Sequence, residues 1–91
     1  MMNDIEAIKI IIMEGFYEYK SPLEYTELEY NLINEIDHSN SIENLETFIN
    51  SKEYKEIKDI LIKDKFYSNL KNKNYLPVQI NFVEKIKYSN E

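Results

Sequence analysis

One glycine and two prolines in 91 residues leave this chain few places to turn sharply. Gly supplies the left-handed backbone of tight turns and Pro ends regular elements, so a many-turned β sandwich would need more of both. Long, rarely interrupted elements are expected instead. A chain this short makes one domain, residues 1–91, because a division would leave neither half enough apolar area to offset the entropy of ordering it. Apolar residues make up 43%, with eight Tyr and four Phe, which is ample for one small core. The expected fold is mainly α, a compact bundle of four to five short helices with room for one short β-hairpin.

Asn3, followed three residues later by Glu6, is set to cap a helix from Asp4 that stops near Gly15 or runs on to Lys20. On that helix Ile5, Ile8, Ile12, Phe16 and Tyr19 share one face, and Ile10, Met13 and Tyr17 fall nearly opposite. A helix apolar on two sides is either central or uses its second side for association. Ile10, Met13 and Tyr17 are therefore a candidate self-association patch, with a homo-oligomer as the assembly. The rival for this stretch is a hairpin pairing Ile8 to Met13 with Phe16 to Lys20 around Glu14-Gly15.

Ser21-Pro22-Leu23-Glu24 has the makings of a helix start: a capping Ser, a Pro preset for the first helical position and a Glu able to return a bond to the cap. It predicts a second helix from Pro22 to about Asp37. Tyr25, Leu28, Leu32 and Ile36 form its core stripe; Glu24, Glu27, Asn31, Asn34 and Glu35 share the other face, with Tyr30 beside it. Asn40 or Ser41 caps a third helix, Ile42 to Asn50, with Leu45, Phe48 and Ile49 inward. Ser51 is placed to cap a fourth, with Tyr54, Ile57 and Leu61 as its stripe. After Ile62 the phase slips, so Phe66, Tyr67 and Leu70 belong to a turn or a separate helical piece from Asp64. Lys71-Asn72-Lys73-Asn74 forms a loop. In the tail Val78, Ile80 and Phe82 alternate as in a strand, whereas Val78, Phe82 and Ile86 match a helix ending near Lys87, which is the preferred reading.

Chemistry is thinly provided for. Without Cys there is no disulfide, thiolate metal site or thiol nucleophile, and without Arg there is no planar fork for bidentate phosphate binding. His38 is the only imidazole. It follows Asp37 at a helix end, where a solvated cation is the ordinary reading rather than a general base in a cleft. Glu24, Glu27 and Glu29 lack the alternating oxygen ligands and central Gly of a calcium loop, and their spacing divides them around a helix. Gly15 stands alone, so neither phosphate-binding glycine motif nor a nucleophile elbow can be written. The chain is expected to be no enzyme, to hold no metal and to need no cofactor. Its longest apolar run, Ile10 to Met13, is far short of a membrane span, and the acidic start lacks the basic flank of a signal peptide, so a cytoplasmic protein without membrane contact is expected.

Thr26 to Ile36, Ser41 to Asn50 and Ser51 to Ile62 read as three successive helices, and Tyr67 to Phe82 as a Lys-bearing hairpin. This order resembles the winged-helix family. The resemblance covers about two thirds of the chain and implies a DNA-binding regulator whose third helix enters the major groove while the hairpin touches the backbone. Lys52, Lys55, Lys58, Lys71 and Lys73 would then be the DNA contacts, although Glu53, Glu56 and Asp59 interrupt the proposed recognition helix.

Charge points elsewhere. Residues 1–46 carry 11 acids against two lysines, a balance of −9, while residues 47–91 carry six acids against nine lysines, a balance of +3. Such asymmetry means either that one face meets a partner or that the halves neutralise each other. Carboxylates flanked by Tyr complement a basic protein surface, since aromatics give contact area at low entropy cost and acids steer association. Glu24, Glu27, Tyr30, Asn31 and Glu35 are the candidate partner-binding residues. The style is that of small acidic inhibitors, antitoxins or immunity proteins of phages and other mobile elements, which occupy sites such as nucleic-acid-binding clefts.

Overall fold

The structure, a computed structural model, describes residues 3–70 and 72–89, with the side chains of Asp64 and Ser89 excepted. Six α-helices occur among them: α1 (Asp4–Tyr19), α2 (Glu27–His38), α3 (Ile42–Ile49), α4 (Lys55–Leu61), α5 (Asp64–Asn69) and α6 (Pro77–Ser89), with 3-10 turns at Pro22–Glu24 and Lys52–Tyr54. No strand is found among the described residues. The helical class holds, with six helices where four to five were expected. The added one comes from the phase slip after Ile62, where the chain breaks and restarts as α5.

The centre of the molecule is α1. Asn3 caps it, its Oδ1 accepting from the Glu6 amide at 2.8 Å. Ala7, Ile8, Ile11, Ile12, Gly15 and Phe16 are buried, and the helix packs chiefly on α4 and α6. The hairpin alternative for Ile8 to Lys20 is overturned. A helix lines these apolar residues up on one broad side, where a strand would have turned alternate ones outward. Gly15 makes no turn and has no positive φ. It sits mid-helix where a Cβ would come within 2.9 Å of Leu61 Cδ2, so the missing side chain lets α4 lie close against α1.

The second helix begins five residues later than Pro22. Ser21 Oγ does accept from the Leu23 amide, at a long 3.4 Å, but the product is only the 3-10 turn Pro22–Glu24. Thr26 is the true cap: its Oγ1 accepts from the Glu29 amide at 3.2 Å, and Glu29 Oε1 accepts from the Thr26 amide at 2.8 Å. Such reciprocal bonding satisfies two otherwise orphaned donors. The extended link between the two starts lets the Tyr25 ring pack edge-on to Phe16, with centroids 5.9 Å apart. Of the expected α2 stripe, Leu32 and Ile36 are buried, Tyr25 is half-buried and lies before the helix, and Leu28 faces out.

Ser41 caps α3, accepting from the Asn44 amide at 3.1 Å, and Leu45 and Ile49 point inward with Phe48 half-buried. Ser51 does not cap a fourth helix. Its hydroxyl donates back to the Phe48 carbonyl at 2.7 Å, so a 3-10 turn intervenes and α4 starts at Lys55. Tyr54, Ile57 and Leu61 are buried as expected. The Tyr54 hydroxyl donates to the Leu32 carbonyl at 2.7 Å, tying this region to α2, and burial pushes that phenol's pKa well up.

The hairpin expected over Tyr67 to Phe82 is absent. That span holds the second half of α5, a turn at residues 72–74 and the start of α6; Lys71 lies outside the described residues. Pro77 opens α6, and Phe82, Val83 and Ile86 are buried by the helical period. Gln79 fixes the register. Its Oε1 accepts from the Leu76 amide at 2.7 Å and its Nε2 donates to the Ala7 carbonyl at 2.7 Å, so one buried amide both caps α6 and docks it on α1. Buried side chains from all six helices meet in one contiguous cluster. No described helix is long and apolar enough to cross a membrane.

Candidate functional site

Two surfaces flank α2. On its outward side Glu27, Asn31 and Glu35 follow at i, i+4 and i+8 and are all exposed, so they form one stripe within about 80° of arc. Glu24 is not on that helix; it belongs to the 3-10 turn just before it. Tyr30 lies on the flank of the stripe and is 53% exposed. Its hydroxyl donates to the Pro22 carbonyl at 2.9 Å, and its ring meets Tyr25 edge-on at 5.7 Å, so the turn carrying Glu24 is pinned to the helix carrying Glu27.

Two apolar residues join this acidic region that sequence reasoning did not assign to it. Leu23, in the turn, is 96% exposed, and Leu28 is 58% exposed. The signal for Leu28 was Ile33: once Tyr25 is off the helix, Leu32, Ile33 and Ile36 define the buried arc and Leu28 falls off its edge. For Leu23 no signal exists beyond its place beside Pro22.

On the other flank of α2 two hollows adjoin, of about 330 and about 480 Å³. Lys9, Met13 and Asp37 line both. The first is completed by Tyr30 and Ile33 among others, the second by Glu6, Ile10, Glu14 and Tyr17. Ile10 and Tyr17 are exposed and Met13 half-buried. The structure thus brings the expected self-association patch and Tyr30 into one groove between α1 and α2. Lys9 crosses that groove, its ammonium donating to the Asp37 carbonyl at 2.7 Å.

Direct ion pairing between the two charge halves is sparse among the described residues. Among the described residues the ion pairs are Lys20 with Glu29 at 2.8 Å, within the acidic half, and Lys85 with Glu46 at 2.9 Å, which alone joins the halves. Burial would raise the Glu29 carboxyl, but hydrogen bonds from Lys20 and Thr26 outweigh it and hold the pKa below the usual value. The Tyr19 hydroxyl donates to the Glu56 carboxylate, which pushes its own pKa up.

Among the described residues, the lysines implied by the winged-helix resemblance fall in three places. Lys52 and Lys55 rim a hollow shared with Glu29, Glu53 and Glu56. Lys58 donates to Asn50 Oδ1 at 2.6 Å. Lys73 lies beside Glu14 and Glu18 in a different hollow, and Lys71 is outside the described residues. His38 ends α2, exposed, with Nδ1 2.8 Å from the Asn34 carbonyl. No group of three or more potential metal-ligating side chains occurs among the described residues. In comparisons with known proteins, no family model, no curated protein and no solved structure matches the chain.

Proposed function

We propose that this chain is a non-catalytic protein-binding module, a small acidic protein of the inhibitor, antitoxin or immunity type, which docks on a basic surface of a partner such as a nucleic-acid-binding cleft. The contact residues are Glu24, Glu27, Tyr30, Asn31 and Glu35, joined by Leu23 and Leu28. One observation carries the reading: exposed apolar side chains stand among carboxylates, of which Glu24, Glu27 and Glu35 form no ion pair among the described residues. Apolar anchors supply buried contact area, and the surrounding acids steer a basic partner and set its register.

Simultaneous reversal of Glu24, Glu27 and Glu35 to Lys tests this directly. Partner capture is expected to be abolished while the circular dichroism and thermal midpoint stay near wild type, because all three side chains are exposed. Unchanged capture by the folded triple variant would overturn the reading.

A further inference from the structure

The groove between α1 and α2 is a second surface without a partner, distinct from the acidic stripe although Tyr30 borders both. Along α1 its lining recurs at Glu6, Ile10, Met13 and Tyr17, and along α2 at Tyr30, Ile33 and Asp37. These are the three- and four-residue steps by which a helix presents a continuous seam to another helix. From Glu6 to Tyr17 the seam rises about 16 Å, or three turns.

Three properties of the groove identify its occupant. Its floor is apolar, with Ile10 40% and Tyr17 57% exposed beside Met13 and Ile33. Its rim is acidic, carrying Glu6, Glu14 and Asp37, and its one lysine is held by a backbone carbonyl. Its walls are helices whose backbone groups bond internally, so an extended segment would find no ladder to join, whereas a helix brings its own backbone bonds satisfied. A second copy of the chain fits poorly. A two-fold contact would set the same carboxylates against one another, on chains that each carry a net charge of −6.

We propose that this groove receives a basic amphipathic helix of the partner protein, about three turns long. Its apolar side seats between Ile10, Met13, Tyr17, Tyr30 and Ile33, and its Lys or Arg side chains reach Glu6, Glu14 and Asp37. The proposal rests on the preceding reading in one respect, that the partner is basic, and adds a contact region of its own.

The test uses the full chain and a labelled Leu/Lys peptide of about 18 residues patterned at the helical period, against a peptide of the same composition in scrambled order, by fluorescence anisotropy at about 0.15 M salt. The patterned peptide is expected to bind the wild type better than the scrambled one. Ile10→Asp and Tyr17→Asp, both at exposed positions, are each expected to weaken it about tenfold or more. Equal binding of the two peptides, or undiminished binding by both variants, overturns the proposal. So does a dimer mass by light scattering that the peptide fails to dissociate. The two readings separate cleanly: peptide binding lost only in the Glu24, Glu27, Glu35 triple variant removes the groove and keeps the acidic stripe. Peptide binding lost in Ile10→Asp, with lysate capture intact in the triple variant, removes the stripe and keeps the groove.

Discussion

Helices α1 and α2 are neighbours put to opposite uses, and α1 is the more apolar of the two. From Ala7 to Phe16, α1 gives five large or small apolar side chains and its glycine wholly to the core, and α2, α3, α4 and α6 all pack on it. In contrast α2 buries Leu32 and Ile36 and turns Leu28 and Tyr30 to solvent among carboxylates. Much of what holds α2 is local, the reciprocal Thr26–Glu29 cap and the Tyr30–Pro22 bond, with the buried Tyr54 hydroxyl on the Leu32 carbonyl as a tie to a distant part of the chain. Surface that the fold does not consume is surface available to a partner.

The sharpest way to break this contrast is truncation. Phe16→Ala is expected to cost about 3–5 kcal/mol in urea denaturation, the usual result of emptying a fully buried aromatic site, whereas Leu28→Ala should fall within about 0.5 kcal/mol of wild type. Similar costs at the two positions would erase the distinction. Next in size is Gly15→Val, which crowds Leu61 and Ile57 and should cost about 1–3 kcal/mol by overpacking the α1–α4 contact. A stabilised variant would mean that α4 does not lie so close.

Smaller effects sharpen the account of α2. Removal of its cap by Thr26→Ala should cost about 1 kcal/mol, and Ser21→Ala distinctly less; the reverse order would move the helix start back to Pro22. Least of all is the pH effect of Glu29. A carboxyl whose pKa is depressed on folding contributes stability above its ordinary value of about 4.3, and that contribution is lost as pH falls through the folded-state value. The thermal midpoint of the wild type should therefore drop more steeply between about pH 5 and about pH 3 than that of Glu29→Gln, and parallel curves would contradict the pairing with Lys20.

Local rules made part of this molecule legible from its residues. Asn3 and Ser41 act as caps, Tyr54, Ile57 and Leu61 face inward, and a new helix begins at Asp64, because each depends on neighbours within one turn. Where two local signals competed, tertiary contacts decided. Ser21 and Thr26 both head a plausible cap, and the later one prevails with Tyr25 packed on Phe16 and Tyr30 tied to Pro22. The Gln79 bond to Ala7 spans 72 residues and has no local signature at all. For the candidate site, the alignment of Glu27, Asn31 and Glu35 follows from helical spacing alone. The exposure of Leu23 and Leu28, and the meeting of Ile10, Met13 and Tyr17 with Tyr30 across one groove, depend on how α2 is set against α1.

The central claim is that the acidic side of this chain meets a protein and not a nucleic acid. A tagged pull-down from lysate of the source cell, run with and without nuclease and read by mass spectrometry, addresses it most directly. The account predicts one stoichiometric protein with a basic surface, retained after nuclease treatment. Capture that disappears with nuclease would contradict it and turn attention to the lysines of the second half.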